Sequence, residues 1–315
     1  MAGASLQGRS RVEFARAPTL VHELSRLRDA LGGGPRLLIK RDDTIPFGFG
    51  GNKVRKLEFV MRDALDAGAD TVVTLGGIQS NHARATAAAA ASLGLRCVII
   101  ANGVPQEKPT ANALLNRLLG AEMVYIPSRN ERAAALGDTL ARLEREGRRP
   151  FAIPLGASTP AGALGFVAAI DELAGQGPLP DVILHATSSG GTQAGLIAGL
   201  ALRGEVTRVI GVSADDPADA VADTVRTIIR GIDGLAEYDG AIEVDSAWVG
   251  DGYGVPTDAS REASELLART EGIFVDHTYT AKAMAALMAR VRAREFATGQ
   301  TLLFWHTGGQ VGLFA

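Results

Sequence analysis

The sequence predicts an α/β protein with open, mostly parallel sheets that are flanked by helices. Short apolar runs bounded by Gly, Pro or Asp alternate along the chain with alanine- and leucine-rich stretches of helical length. The apolar runs are continuous, which is typical of parallel strands that are buried on both faces. At 315 residues the chain exceeds the size at which a single core usually stops growing, so we expect two domains or one large one.

Strands and helices are predicted in alternating order, as in α/β folds. The predicted strands are Arg36–Ile39, Thr71–Leu75, Arg96–Ile100, Met123–Ile126, Phe151–Ile153, Val182–His185, Val209–Ser213, Ile273–Val275 and Thr301–Trp305. The predicted helices are Arg55–Ala67, Asn81–Leu93, Pro109–Leu119, Arg129–Glu146, Ala161–Gln176, Gln193–Arg203, Asp258–Thr270 and Thr280–Ala297.

Composition excludes several classes of protein. Hydrophobic residues at 46% and charged residues at 21% exclude general disorder, and a net charge of -3 argues against nucleic-acid binding. The single cysteine, Cys97, excludes a disulfide framework, and the histidines are not spaced as metal ligands, so no metal site is expected. No apolar run has the length of a membrane span or a signal peptide, so we expect a cytoplasmic protein without membrane contact.

A turn of small residues, Thr187–Thr192, lies between an apolar strand and a predicted helix. Its glycines let backbone N–H groups point inward, its hydroxyls add donors, and the helix N-terminus favours an anion. The turn is therefore a candidate phosphate-binding site at the carboxyl end of a strand, where open α/β sheets bind ligands. A plain small-residue turn with a helix N-cap is the alternative.

Lys53 and Lys56 follow Gly50 and Gly51 at a predicted helix start. Positive charge is unfavourable at this end of a helix, and burial beside another cation lowers the pKa of an amine. An amine that forms a covalent bond with a carbonyl compound requires such a lowered pKa. These two are the lysines of the chain that adjoin glycine-rich backbone, although a solvated basic helix start is the alternative.

Further groups of small polar residues follow other predicted strands. The run Gly76–His82 opens a helix, and its Gln, Ser and Asn side chains could hold a carboxylate together with backbone N–H groups. A plain N-cap by Ser80 is the alternative. Near the C-terminus, Asp276–Thr280 precedes a helix and His306–Gly309 follows a strand.

Together these segments closely resemble one family, the pyridoxal-phosphate-dependent D-cysteine desulfhydrase and 1-aminocyclopropane-1-carboxylate (ACC) deaminase family of the fold type II class. The resemblance runs from about Pro18 to the last residues. The segments that carry it are Ile39–Asp43, Gly50–Glu58, Gly76–His82, Thr187–Leu196, Tyr253–Pro256, Tyr279–Thr280 and His306–Gly309. It implies a homodimer whose cofactor, pyridoxal 5'-phosphate, lies in a cleft between two domains. The larger, cofactor-binding domain would comprise residues 1–55 and 163–315, and the smaller, mobile domain residues 56–162.

The resemblance also implies roles for individual residues, with Lys53 as the lysine that binds the cofactor covalently. The residues with implied catalytic roles are Lys53, Ser80, Tyr253 and Tyr279. Those implied to contact the cofactor besides Lys53 are Asn52, Lys56, Ser189, Gly190, Gly191, Thr192, Thr280 and Thr307. Those implied to contact the substrate are Gln79, Ser80, Asn81, Tyr253, Tyr279, Thr307 and Gly308.

Two positions separate the branches of this family. The deaminase type is expected to carry Glu after the second tyrosine and Leu before the late Gly-Gly, whereas this chain carries Thr280 and Thr307, as the desulfhydrase type does. A carboxylate would keep the pyridine nitrogen protonated and favour cyclopropane opening, while a threonine hydroxyl only donates a hydrogen bond. We therefore expect a carbon–sulfur lyase that takes a small amino-acid substrate, D-cysteine, to pyruvate, sulfide and ammonia.

Three alternatives remain at this point. An L-cysteate sulfo-lyase should need an extra basic side chain near the β-position, for which Arg84 is the nearby candidate. An ACC deaminase is the second, and a non-catalytic protein that only carries the cofactor is the third. A carrier needs only the lysine and the phosphate turn, so the presence of Ser80, Tyr253 and Tyr279 argues against it. Whether Lys53 or Ser80 removes the α-proton is open.

Overall fold

The computed structural model of the protein describes residues 9–15 and 18–315. The strands are β1 (Val21–Glu23), β2 (Arg36–Arg41), β3 (Thr71–Gly77), β4 (Arg96–Asn102), β5 (Glu122–Ile126), β6 (Pro150–Ile153), β7 (Val182–Thr187), β8 (Arg208–Ser213), β9 (Glu243–Asp245) and β10 (Thr301–His306). The α-helices are α1 (Ser25–Ala30), α2 (Asn52–Asp66), α3 (Asn81–Ser92), α4 (Ala111–Leu118), α5 (Arg132–Arg145), α6 (Pro160–Gln176), α7 (Gly191–Arg203), α8 (Ala218–Arg230), α9 (Asp258–Glu271) and α10 (Thr280–Arg292). Within these residues, no helix combines the length and apolar character needed to cross a lipid bilayer.

Six strands form the larger sheet, in the order β1-β2-β10-β7-β8-β9. β1 runs antiparallel to β2, and every pair from β2 to β9 is parallel. Successive side chains point to opposite faces of the sheet, so each face has its own core. Leu302 and Phe304 pack with α1, α9 and α10, whereas Leu303 and Trp305 pack with α6, α7 and α8. β10 is therefore buried on both faces.

Four parallel strands form the smaller sheet, in the order β5-β4-β3-β6. Val72 and Ile99 face α2 and α3, while Val73 and Val98 face α5. Parallel strands end at a common edge of the sheet, so the loops after β3, β4, β5 and β6 leave it together. That edge is where the polar turns found in the sequence lie.

The predicted α/β class is confirmed, and the predicted helices and strands are present with one exception. The predicted strand at Ile273–Val275 is wrong, because these residues pair with no strand. Ile273 and Val275 are buried in the core, but the carbonyl oxygen of Phe274 accepts a hydrogen bond from His306 Nε2 at 2.8 Å. The side chain of His306 thus gives the backbone carbonyl of Phe274 the hydrogen bond that a neighbouring strand would otherwise supply.

Sequence reasoning missed two strands and two helices. The missed strands, β1 and β9, are three residues long and polar, and pairing with the longer strands beside them gives them their extended form. The missed helix α8 did carry a signal, since Val221, Val225, Ile228 and Ile229 are buried along one helical face. The other missed helix, α1, has only six residues.

A buried network of charged side chains links the end of β2 to α2 and α6. Asp42 is fully buried and accepts hydrogen bonds from Arg55 Nε at 2.8 Å, Arg55 Nη2 at 2.7 Å and Trp305 Nε1 at 2.8 Å. Arg55 Nη1 also donates to Glu172 at 2.8 Å, and the amine of Lys40 pairs with the same carboxylate. Buried charges are tolerated when each has an opposite charge and hydrogen bonds. The network therefore fixes the first turn of α2 against the larger sheet.

The smaller sheet lies within residues 71–153, inside the segment 56–162 for which the sequence predicts a separate domain. α2 begins before that segment and continues into it, packing on both α6 and α3. The division into two domains stays a prediction.

Glu172 should make stability depend on pH. Burial would raise its pKa, but the hydrogen bonds and charges of Arg55 and Lys40 outweigh burial and lower that pKa from 4.5 to about 2. Such a group stabilises the fold above its unfolded-state pKa, and the contribution disappears as pH falls through the folded-state pKa. We expect Glu172→Gln to lower the free energy of unfolding by about 3 kcal/mol at neutral pH. The difference should shrink between pH 4.5 and about 2.

Urea unfolding of wild type and variant across this pH range measures the effect. The control is Glu265→Gln, which removes an exposed ion pair with Arg269 and should change stability little at any pH. A Glu172→Gln effect that does not vary with pH would show that the carboxylate charge is not what stabilises this part of the fold.

Candidate active site

A cavity of about 700 Å³ lies where the carboxyl ends of the two sheets face each other. Loops after β3, β4, β5 and β6 form one side, and loops after β7, β8 and β10 form the other. This is where open α/β sheets bind ligands. The polar residues on its wall include Asn52, Lys53, Ser80, Asn81, His82, Asn102, Arg129, Arg132, Thr187, Ser189, Thr192, Asp215, Asp216, Tyr253, Tyr279 and Thr307.

Lys53 stands in the first turn of α2, with its side chain on the cavity wall. The helix begins at Asn52, earlier than the sequence predicts, because Gly51 can adopt a φ of 93°. A Cβ at Gly51 would lie 2.9 Å from the carbonyl oxygen of Thr307, and Asn52 N donates to that oxygen at 3.0 Å. Glycine therefore lets α2 start directly against the loop after β10.

The amines of Lys53 and Lys56 are adjacent and lack a compensating negative charge. Burial lowers the pKa of Lys53 to about 8. Burial and then the charge of Lys53 lower the pKa of Lys56 well below its ordinary value. Neither amine forms an ion pair with any carboxylate of residues 9–15 or 18–315, and the N-terminal end of α2 adds positive potential. Lys53 can therefore present a free amine near pH 8.

The start of α7 forms an anion-binding turn across from Lys53. Gly190 is the N-cap residue with a φ of 76°. Gly191 N donates within the turn, whereas the N–H groups of Thr192 and Gln193 have no partner among the residues described and are free to bind an anion. Thr192 Oγ1 accepts a hydrogen bond from Asn52 Nδ2 at 2.9 Å, which leaves the hydroxyl proton of Thr192 free to donate. Thr187 Oγ1 is buried on the wall and has no partner among the residues described.

Ser158, which sequence reasoning missed, joins this turn from the loop after β6. Its Oγ lies 2.8 Å from Ser189 Oγ and accepts hydrogen bonds from Gly191 N at 3.2 Å and Lys56 Nζ at 3.1 Å. A serine in an unremarkable loop gives no signal in the sequence. The packing of the loop after β6 against α7 brings it to the turn.

Three hydroxyl groups face the cavity from other loops. Ser80 caps α3, and its Oγ accepts from Ala83 N at 3.2 Å, which leaves its proton free. The hydroxyls of Tyr253 and Tyr279 are hydrogen-bonded to each other. Burial raises the pKa of both tyrosines, most strongly that of Tyr279, whose pKa the neighbouring Tyr253 raises further. Both phenols therefore stay protonated, and because one donates to the other, one hydroxyl proton of the pair is left for a ligand.

His82 supplies an acceptor on the same wall. Thr74 Oγ1 donates its proton to the carbonyl oxygen of Ile153 at 2.9 Å, so His82 Nε2, 2.7 Å away, must be the donor to Thr74. His82 Nδ1 is then unprotonated, and it has no partner in the part of the chain described. Burial and the charges of Lys53 and Lys56 lower the pKa of His82 and keep it neutral.

The structure brings most of the predicted site residues to one cavity. Those on its wall are Asn52, Lys53, Ser80, Asn81, Ser189, Gly190, Thr192, Tyr253, Tyr279, Thr307 and Gly308. Lys56 and Gly191 lie directly behind the wall, where both contact Ser158. The roles of these residues stay predictions.

Gln79 and Thr280 are not on the wall, and their roles as contact residues stay predictions. Gln79 Oε1 accepts from Asn112 N at 2.9 Å, so its side chain holds the loop before α4. Thr280 is fully buried, and its Oγ1 donates to Asp276 Oδ1 at 2.7 Å. That hydroxyl proton is used inside its own loop, and it is not available to a ring nitrogen as the sequence argument assumed.

Arg84 is also misplaced by sequence reasoning as a basic residue for the substrate. It is buried and donates to the carbonyl oxygens of Gly48 and Gly50 and to Asn112 Oδ1. The arginines that do line the cavity are Arg129 and Arg132, which follow β5. Both arginines could have been found from the sequence, because they follow a predicted strand, as do the other polar residues that the sequence analysis selected.

Comparison with known proteins gives matches over nearly the whole chain. Residues 12–308 match the family model described as pyridoxal-phosphate dependent enzyme. A solved structure described as an ACC deaminase homologue is 34% identical, with a TM-score of 0.90, and the match covers 99% of this chain and 95% of that one.

Two more distant structures share the fold. A pyridoxal 5'-phosphate-dependent aspartate racemase is 18% identical, with a TM-score of 0.68 and coverage of 92% of this chain and 90% of that one. Threonine deaminase isoform 2 from Solanum lycopersicum is 16% identical, with a TM-score of 0.67 and coverage of 98% and 82%.

The cavity fits pyridoxal phosphate. The N-terminus of α7 and the free proton of Thr192 suit a phosphate group, and neither nearby lysine amine is paired with a carboxylate. The unpartnered Thr187 Oγ1 and His82 Nδ1 are buried polar atoms that a polar ligand could satisfy. A Cβ at Gly191 would lie 2.6 Å from Ser158 Oγ, so the turn requires glycine there. Lys53 supplies the amine that a carbonyl-bearing cofactor requires.

Lys53 should be the lysine that pyridoxal phosphate labels. An unprotonated amine is the reactive form, so the labelling rate should rise with pH and level off above about 8. The measurement is borohydride trapping at a series of pH values, followed by peptide mapping. Lys53→Ala is the control and should lose the label. A label on Lys56 or Lys282 in the wild type would contradict the assignment.

Thr192 should contribute to cofactor affinity through its hydroxyl. Thr192→Val keeps the shape but removes the donor, and the loss of a hydrogen bond to a charged group corresponds to about 1–3 kcal/mol. The dissociation constant of pyridoxal phosphate, measured by fluorescence titration, should rise by about 5- to 150-fold. Thr192→Ser keeps the hydroxyl and should bind nearly as wild type does. Equal affinity in all three proteins would exclude this contact.

Proposed function

The chain belongs to the pyridoxal-phosphate-dependent enzymes, in the ACC deaminase and D-cysteine desulfhydrase family, and from that membership we propose that it is a carbon–sulfur lyase. The proposed reaction is β-elimination from a small amino acid with a leaving group on Cβ. D-cysteine is the substrate that we propose first. With one water molecule it yields pyruvate, sulfide and ammonia.

The observation that carries this proposal is that Asp276, the carboxylate beside Thr280, is saturated by its own loop. Its Oδ2 accepts from the N–H groups of Thr278 at 3.0 Å and Tyr279 at 2.9 Å. Its Oδ1 accepts from Thr280 N at 3.2 Å and Thr280 Oγ1 at 2.7 Å. A carboxylate free to face a pyridine nitrogen would strengthen the electron withdrawal that cyclopropane opening needs. Elimination of a good leaving group needs less electron withdrawal by the ring.

The carboxylates that line the cavity also favour a carbon–sulfur lyase over an ACC deaminase. Among the residues described, those on the cavity wall are Asp215 and Asp216, which follow β8, and Asp215 is ion-paired with the exposed Arg129. Thr307, in the loop that anchors the start of α2, is a small polar residue. The wall near Lys53 therefore offers hydroxyl groups, whereas the carboxylates of the wall come from the loop after β8.

In the proposed mechanism the protein's own residues bind the substrate and move its protons. Pyridoxal phosphate supplies, when bound, an electron sink for negative charge at the substrate Cα. Ser80 and Asn81, at the N-terminus of α3, hold the α-carboxylate. Lys53 Nζ has a lowered pKa and accepts the α-proton. Ser80 Oγ does so instead if the proton lies on the opposite face.

The paired tyrosines act on the leaving group. Their pKa values are raised by burial, so both hydroxyls retain protons at neutral pH. A phenol with a raised pKa is a donor that orients a thiolate as the bond between Cβ and sulfur breaks. Tyr253 is half exposed, so it also lies on the path by which sulfide leaves.

Two rivals are weaker. An ACC deaminase would lack the ring-facing carboxylate expected for that branch, since position 280 is threonine. A non-catalytic carrier would need the lysine and the phosphate turn, but not the tyrosine pair or the free proton of Ser80 on the same wall.

The discriminating experiment compares two substrates with the purified holoenzyme. We expect pyruvate and sulfide from D-cysteine at a higher kcat/KM than 2-oxobutyrate from ACC, because the site favours loss of a thiolate over ring opening. Both products are quantified directly, and Lys53→Ala is the control that should lose either activity. Faster turnover of ACC would refute the argument from Thr280, and no product from any β-substituted amino acid would refute the lyase assignment.

A further inference from the structure

Arg132 is a partly buried cation on the cavity wall with no carboxylate partner. It is the first residue of α5, and its Nε and Nη2 both donate to Asn102 Oδ1, with Nε at 3.2 Å. Its Nη1 has no hydrogen-bond partner, and no carboxylate of residues 9–15 or 18–315 lies within 4.0 Å of its guanidinium. Asn102, at the end of β4, therefore positions the group without neutralising it.

The neighbouring arginines show the contrast. Arg129, in the same loop, pairs with Asp215 at 2.8 Å, and Arg142, on the same helix, pairs with Glu122 and Glu146. The negative charge of Asp215 is thus already taken up by Arg129. Asp216 also lines the cavity, but beyond ion-pair distance of Arg132. A desolvated charge without a partner is unfavourable, and an anion in the cavity would offset that penalty.

The position of Arg132 points to the substrate's side chain. The α-carboxylate has its proposed site at Ser80 and Asn81, on the loop after β3, whereas Arg132 comes from the loop after β5. Burial and then the charge of Arg129 lower the pKa of the Arg132 guanidinium, while Tyr253 and Tyr279 are near enough to raise it. Arg132 and the tyrosine pair, which we assigned to the leaving group, line the same cavity, and the ion pair between Arg129 and Asp215 joins the loop before α5 to the loop after β8.

We infer that Arg132 determines specificity by binding an acidic group on the substrate's β-carbon, such as a sulfonate, a sulfinate or a thiolate. The inference rests on the proposed β-elimination. A guanidinium presents parallel donors that match the oxygens of a sulfonate or sulfinate, and its charge also favours the thiolate form of a cysteine substrate over the neutral thiol.

Elimination of such a group balances without a further reagent. For a β-sulfonate the α-proton is removed and the bond between Cβ and sulfur breaks, with its electron pair leaving on sulfite. Hydrolysis of the resulting enamine with one water molecule gives pyruvate and ammonium. Arg132 pairs with the sulfonate in the substrate and with sulfite in the product. Its positive charge therefore stabilises the anionic sulfur group both before and after the bond between Cβ and sulfur breaks.

The test measures kcat/KM of the holoenzyme for acidic and neutral substrates. Cysteate and cysteine sulfinate, each as both enantiomers, are the acidic probes, and 3-chloroalanine, also as both enantiomers, is the neutral one. In Arg132→Met the kcat/KM for the acidic substrates should fall by about 10- to 100-fold more than that for 3-chloroalanine. The loss should lie mainly in KM, and Arg132→Lys should recover part of it.

Arg145→Met is the matched control, since Arg145 is exposed on the same helix and away from the cavity. It should leave the ratio of acidic to neutral activity unchanged. The dissociation constant of pyridoxal phosphate should be similar in all variants, which verifies folding independently of activity. For an acidic compound that is not turned over, its inhibition constant against 3-chloroalanine replaces KM.

The outcomes separate the two proposals. If 3-chloroalanine is turned over but Arg132→Met affects acidic and neutral compounds equally, the role of Arg132 is refuted and the lyase assignment stands. The same follows if neither acidic compound reacts or inhibits in the wild type. If none of the compounds yields pyruvate, the β-elimination itself is refuted.

Discussion

The arrangement of the site depends on one buried guanidinium, that of Arg55. It is shared between Asp42 at the end of β2 and Glu172 on α6, and Asp42 also accepts a hydrogen bond from Trp305 of β10. These contacts hold the first turn of α2 against the larger sheet, and Lys53 is in that turn. Breaking a buried ion pair leaves an uncompensated charge, so this turn cannot shift at low energetic cost. The reactive amine is therefore held rigidly.

The charges around the cavity are distributed unequally, and this accounts for its chemistry. Carboxylates that could neutralise Lys53 and Lys56 are absent from their surroundings within the described chain, while Arg55, which lies between them in the sequence, is fully paired. The result is a site in which a readily deprotonated amine adjoins the positive potential of a helix N-terminus. An anionic cofactor supplies the missing negative charge, so binding and stability are coupled in this part of the fold.

The two sheets contribute different functions to the same cavity. The larger sheet and the start of α2 supply the lysine and the anion-binding turn, which suit a cofactor. The smaller sheet supplies Ser80, Asn102 and Arg132, which line the opposite side of the cavity. In this arrangement, specificity can change through loops after β3, β4 and β5 without disturbing the cofactor side. Our proposals about D-cysteine and about acidic substituents follow from this division.

The sequence by itself determined the α/β class, the turns at the ends of the strands and the lysine beside the glycine pair. These features are local, since strand length, glycine conformation and helix starts depend on residues close together in the chain. It could not determine that Thr280 gives its hydroxyl to Asp276, that Gln79 turns towards α4, or that Arg84 is buried beneath the glycine turn. Nor could it bring Ser158 to α7 or Arg132 to Asn102 on the cavity wall. Apart from the Thr280–Asp276 hydrogen bond, which lies within one loop, those contacts join segments that are far apart along the chain. For these, only the packing of the two sheets with their carboxyl ends facing each other decides which polar side chains meet.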